Sequence, residues 1–148
     1  MKILFVCTGN TCRSPMAEGI FKTFITKDNK LKDIQVSSAG LMAAEGQKAT
    51  ENAVIACKDF GADISGHISH SITTKMLDET DLFVCMTMTH AQALMSGNVP
   101  KNKIYVLNVQ DPFGGNLETY KECCHNIYDQ LLILAQLIER KLENDKHN

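Results

Sequence analysis

Apolar residues recur in two rhythms along this chain: short unbroken runs, and longer stripes repeating every three or four positions. The run within Lys2–Val6 is brief and followed by turn-forming residues, which predicts a strand buried on both faces. The stripe Ala17, Ile20, Phe21, Phe24 and Ile25 predicts a helix, with Ser14 as its N-cap and Pro15 in the first helical position. Ile34–Ser38 reads as a second strand, ended by Ala39 and Gly40. Residues 48–60 predict a second helix with Ala53, Val54, Cys57 and Phe60 inward and Gly61 as its stop.

Gly61 to Ile72 reads as loop or short extended structure. A short helix near Thr74–Glu79 then precedes a third strand over Leu82–Met86. Thr89–Ser96 predicts a helix halted at Gly97, and Ile104–Leu107 a fourth strand. From about Leu117 to Leu142 the positions Tyr120, Cys124, Ile127, Leu131, Leu134 and Ile138 mark the buried side of a long helix. Strands alternating with helices argue for a parallel sheet. The expected fold is a single α/β domain over residues 1–148, with a four-stranded parallel sheet in order 2-1-3-4 and helices on both faces. Crossovers should be right-handed, and a ligand should sit at the carboxyl ends of the strands.

Composition changes this picture little. Of 148 residues, 44% are hydrophobic and 22% charged, and the net charge of -2 gives no reason to expect nucleic acid. The mixed-charge segment after Ile138 reads as a solvated helix end. No run is long enough for a signal peptide or a membrane span, so a cytoplasmic protein without membrane contact is expected. Six cysteines do not imply a disulfide framework in a chain with this much core-forming material. Cys123, Cys124 and His125 are adjacent rather than spaced as zinc ligands, so neither metal nor cofactor is expected.

The candidate chemistry lies between the first strand and the first helix, in Cys7-Thr8-Gly9-Asn10-Thr11-Cys12-Arg13-Ser14-Pro15. A tight loop there turns consecutive N–H groups toward one point, and the helix start adds free donors and a positive dipole end. Such a concavity holds a tetrahedral oxyanion, with Arg13 forking onto two of its oxygens. The same field favours the thiolate of Cys7, a nucleophile beneath a bound phosphoryl group. A cysteine ending a core strand is more often structural; its company changes that reading. Gly9 permits unusual backbone angles, Asn10 tolerates the left-handed region, and Ser14 can cap the helix and donate to the sulfur. Arg13 at a helix start is badly placed unless an anion arrives. The loop lacks the spacing and lysine of a nucleotide-binding P-loop.

This pattern, C-x5-R-S followed by proline near the start of the chain, resembles the low-molecular-weight protein tyrosine phosphatases. The resemblance covers nearly the whole chain, including Ser38-Ala39-Gly40, the region of His67, Cys85-Met86-Thr87 and Asp111-Pro112-Phe113. It implies that Asp111 is the general acid that protonates the leaving group, a role that its Asp-Pro turn setting would not suggest alone. It implies attack by Cys7, stabilisation by Arg13 and the amides of residues 8–14, and hydrolysis of a cysteinyl-phosphate, with phosphorylated proteins as substrates. It further implies that Asn10, Ser38 and His67 brace the loop, and that Cys12 is a possible redox partner of Cys7. Cys57, Cys85 and Cys124 read as core; Cys123 and His125 acquire no role. A monomer is expected.

Thr11 and Phe113 bear on the substrate. Tyrosine-directed relatives often carry a branched aliphatic residue where Thr11 stands, and a second aromatic beside the first in the acid loop. Here a hydroxyl and Gly114-Gly115 take those places, and the loop resembles that of the bacterial protein-arginine phosphatases. A hydroxyl can bond a guanidinium or the hydrolytic water, and a phosphoramidate weakens once its nitrogen is protonated. Phosphoarginine in proteins is therefore the expected substrate, with phosphotyrosine as the alternative. An arsenate reductase would need a second cysteine soon after Cys85, and none occurs before Cys123. A non-catalytic anion-binding module would have no use for both a nucleophile and an acid. One departure from the resemblance is the short segment Asn108-Val109-Gln110 before Asp111, where relatives often have a longer excursion.

Overall fold

The computed structural model describes residues 1–147. Four parallel strands form one sheet: β1 (Lys2–Cys7), β2 (Gln35–Gly40), β3 (Leu82–Cys85) and β4 (Ile104–Val106), in the order β2-β1-β3-β4. The helices are α1 (Arg13–Lys27), α2 (Glu51–Lys58), α3 (Thr74–Glu79), α4 (Met88–Ser96) and α5 (Leu117–Lys146). Two 3-10 turns, Asn29–Leu31 and Lys101–Lys103, lie outside the sequence expectation, being too short to carry a periodic signal.

β1 is central and apolar on both faces, and its alternating side chains feed two cores. Ile3, Phe5 and Cys7 point toward α1, α2 and α5, where Ile20, Phe21, Ala53, Ile127 and Leu131 are buried. Leu4 and Val6 point the other way, against Ala91 and Leu94 of α4. Of the α1 stripe, Phe24 and Ile25, in the last turn of the helix, are only partly buried, with Phe24 packed edge-on against Tyr128 at 5.5 Å between ring centroids.

Element boundaries differ from the sequence reading where tertiary partners compete. β2 runs on through Ala39 to Gly40, paired with Cys7. α2 starts at Glu51 rather than 48, because Lys48 bridges to Ile68 and the Thr50 N–H bonds the Thr11 carbonyl. In α2 it is Ala56, not Val54, that is fully buried, and Phe60 lies beyond the helix against Tyr128 with ring centroids 4.9 Å apart. α5 continues past Leu142 to Lys146, carried by its own polar turns. No helix among the described residues is long and apolar enough to cross a membrane.

Candidate active site

The loop between β1 and α1 turns its carbonyls outward, where the scaffold takes them up. Cys7 O and Thr8 O accept from the N–H groups of Leu41 and Met42, at 2.9 and 3.0 Å. Thr11 O accepts from Thr50 N at 3.0 Å, and Cys12 O from Met16 N at 3.1 Å. Peptide N–H and C=O groups point in opposite directions, so anchored carbonyls leave the loop amides facing the concavity.

Asn10 is the buried keystone. It holds the left-handed conformation at φ 57 and is wholly inaccessible to solvent. Its N–H donates to Cys7 Sγ at 3.2 Å, and its Nδ2 donates to Ser14 Oγ and Ser38 Oγ at 2.8 and 3.0 Å. Its Oδ1 accepts from His70 N at 2.9 Å, and its carbonyl from His67 Nε2 at 2.7 Å. Ser38 Oγ in turn donates to Glu18 Oε1 at 2.7 Å. Ser14 Oγ lies 2.8 Å from Cys7 Sγ. Because Ser14 accepts from Asn10, its own proton is free for the sulfur, and two donors converge on Cys7.

Two details of the loop differ from the sequence reading. Ser14 is not the helix cap: α1 begins at Arg13, with Cys12 in the cap position and no side-chain cap bond. The Ser14 hydroxyl is drawn to Cys7 and Asn10 instead. Gly9 does not supply the unusual backbone angle, which falls on Asn10 alone in this loop. The glycine required by close approach is Gly40, where a β-carbon would collide with the Thr8 carbonyl oxygen and lie 3.1 Å from Asn10 N.

Arg13 is buried at the helix start, 6% exposed. Its Nη1 donates to the Val109 carbonyl at 3.2 Å, and its Nη2 lies 3.7 Å from Asp111 Oδ2. Asp111 is itself more than half exposed, and its Oδ1 accepts from Phe113 N at 3.1 Å, closing the turn through Pro112. The short segment before it is held by α5: Asn108 bonds Gln130 through both backbone groups, at 3.0 Å each, and Asn126 at 3.1 Å. Cys7, Thr8, Gly9, Asn10, Thr11, Cys12, Arg13, Asp111 and Phe113 together enclose a cavity of about 210 Å³ at the carboxyl end of β1. The tertiary fold thus brings residues 7–13 and 111–113 into one wall, while Ser38 and His67 stand behind the loop.

Several contributors carry no sequence signal of their own. Tyr120 Oη lies 3.3 Å from Cys12 Sγ, and burial followed by that contact pushes its hydroxyl up to about 12. His90 bonds Thr8, Glu18 braces Ser38, and the Val109 carbonyl holds Arg13. Only the Thr87–His90 spacing, which suits a helix cap, was there to be read. Cys57 and Cys124 are fully buried with sulfurs 3.9 Å apart, and burial pushes the Cys85 thiol up to about 12. Cys123 reaches the Gln110 carbonyl at 3.7 Å, and burial also pushes it up to about 12.

Comparison with known proteins places this geometry in context. The family model described as low molecular weight phosphotyrosine protein phosphatase matches residues 2–145. A protein-arginine-phosphatase of Bacillus subtilis is 35% identical over 99% of both chains. The crystal structure of a low molecular weight protein tyrosine phosphatase from T. tengcongensis is 38% identical, with a TM-score of 0.85, covering 95% of this chain and 99% of that one. A solved cysteine-to-serine mutant of the YwlE arginine phosphatase, with a phosphorylated active-site serine, is 34% identical with a TM-score of 0.87, covering 96% and 99%. The buried loop, the parallel sheet and these matches over the full length lead to one assignment: the chain belongs to the low-molecular-weight protein tyrosine phosphatase family of cysteine-based hydrolases.

Proposed function

We propose that this protein hydrolyses phosphoarginine side chains of proteins through a phosphoryl group carried on Cys7. The phosphoryl group enters the cavity above the sulfur, its equatorial oxygens taken by the Arg13 guanidinium and the inward amides of residues 8–14. Cys7 Sγ forms a bond to phosphorus as the P–N bond breaks. Asp111, exposed at the mouth, gives its proton to the departing guanidine nitrogen. Water then attacks phosphorus, Asp111 takes up a proton, and the S–P bond breaks to release phosphate and free thiolate. The phosphorylated serine in the YwlE mutant supports a covalent step at this position. Cys12, in the same cavity wall, is the thiol we assign as redox partner for an oxidised Cys7.

The substrate assignment rests on the cavity wall rather than on identity, since relatives named for arginine and for tyrosine match about equally well. Thr11 contributes a hydroxyl to that wall, and Phe113 is the one aromatic among the lining residues. A phenol ring would be gripped on a single side, whereas a guanidinium gains a hydrogen-bond acceptor. Phosphotyrosine is the second reading, favoured by the open position of Phe113, which is 73% exposed and free to stack.

Matched phosphoarginine and phosphotyrosine peptides decide between them through kcat/KM. Arginine preference in the native protein, shifted toward tyrosine by Thr11→Ile, is the expected result. A tyrosine preference of about tenfold, equivalent to 1.4 kcal/mol, overturns the substrate assignment. Cys7→Ser should abolish turnover while retaining phosphate binding.

A further inference from the structure

His90 stands outside the motifs, yet it is buried between the phosphate loop and the start of α4, 4% exposed. Its Nδ1 lies 3.2 Å from the backbone nitrogen of Thr87 and 3.1 Å from Thr87 Oγ1. Its Nε2 lies 2.9 Å from Thr8 Oγ1. A backbone N–H can only donate, so Nδ1 is the acceptor, and the proton of the neutral ring must sit on Nε2. The ring therefore donates to Thr8. With one lone pair so occupied, the Thr8 hydroxyl keeps its own proton for another acceptor. Thr8 is exposed, lines the 210 Å³ cavity next to Cys7, and its hydroxyl has no second partner among the described residues.

We propose that His90 is a positioning residue that fixes the Thr8 hydroxyl as a donor to the bound phosphoryl group, making Thr8 a side-chain contact of the substrate. This rests on the cavity above Cys7 being the phosphate site. The neutral ring is enforced from two sides. Burial and the nearby Arg13 cation hold its pKa below the ordinary histidine value, against the opposing pull of Asp111. Protonation would also set an Nδ1–H against the Thr87 N–H, donor against donor. The loop thus gains a correctly aimed donor without adding a second cation beside Arg13.

The test is a double-mutant cycle on Thr8→Val and His90→Ala, reading kcat, KM and inhibition by inorganic phosphate. Each single variant should raise KM and the phosphate inhibition constant about three- to tenfold, the worth of one hydrogen bond, with kcat changed much less. The double variant should be no worse than either single, and Thr8→Ser should restore native values. Effects that multiply in the double variant, or a Thr8→Val protein with native phosphate affinity, overturn the proposal. If His90 served only to cap α4, its loss would lower Tm and leave phosphate inhibition unchanged, which also overturns it. Should His90→Ala fail to fold, Thr8→Val decides alone, because Thr8 is exposed and the α4 cap is then intact. Cys7→Ser run alongside separates the failures: retained turnover there would sink the site itself, whatever the cycle gives.

Discussion

A guanidinium buried at the positive end of a helix is an arrangement that free energy opposes. Arg13 survives there through the Val109 carbonyl and the Asp111 carboxylate, both supplied by the distant segment before α5. A bound phosphate would relieve the same frustration, so inorganic phosphate should raise the Tm of the native protein. Saturation at about 100 times Kd corresponds to about 2.7 kcal/mol. Arg13→Ala should lose that shift, measurable by thermal denaturation with and without phosphate. Asp111→Asn should cut kcat about 100-fold, within the usual worth of a general acid, while phosphate inhibition changes little. His90 sets a further expectation. Its folded pKa is depressed below about 6.5, so above that pH both states carry it neutral and it costs nothing. As pH falls below 6.5 the unfolded chain takes up the proton first, and stability is lost until the folded pKa is passed. Denaturant unfolding at pH 7 and pH 5 should show a smaller acid loss in His90→Gln than in the native protein.

At the scale of elements, the site depends on where one segment closes against another. Gly40 ends β2 directly beneath the loop, and its lack of a side chain lets the Thr8 carbonyl and Asn10 nitrogen approach. Gly40→Ala should displace the loop and lower kcat/KM about 100-fold, the cost typical of a misplaced catalytic group. Circular dichroism should meanwhile show an intact sheet. The boundaries of elements were the least legible part of the sequence. Ser14 has the chemistry of an N-cap, yet Asn10 and Cys7 compete for its hydroxyl and win. Residues 48–50 have helical character, yet Lys48 and Thr50 find partners in Ile68 and Thr11. At Ser14 a partner within the same loop, and at residues 48–50 partners twenty or more positions away, overrode a local helical preference.

For the whole molecule, the long apolar stripe of α5 closes the larger of the two cores. Leu131 is fully buried there, whereas its neighbour Leu132 is 40% exposed. Leu131→Ala should cost about 2–5 kcal/mol of stability, and Leu132→Ala within about 0.5 kcal/mol, both read from denaturant unfolding. Neither lines the cavity, so KM should be unchanged in both. α5 also anchors Asn108, three residues before Asp111, through Asn126 and Gln130, so the helix that completes the core also helps to place Asp111 beside Arg13.

The sequence alone determined the alternation of strands and helices, the parallel sheet and the place of the loop at residues 7–14 as the candidate oxyanion site. Those follow from periodicity, turn chemistry and dipole direction, which act over a few neighbouring residues. The bracing of the loop by Asn10, Ser38 and His67 was legible only through family resemblance, as was the acid role proposed for Asp111. Only the tertiary structure decided that Arg13 meets Asp111 across ninety-eight positions of chain, that Gly40 must be bare, and that His90 reaches Thr8. Such pairings depend on how the sheet brings its carboxyl ends together, and no local pattern encodes a partner that far away.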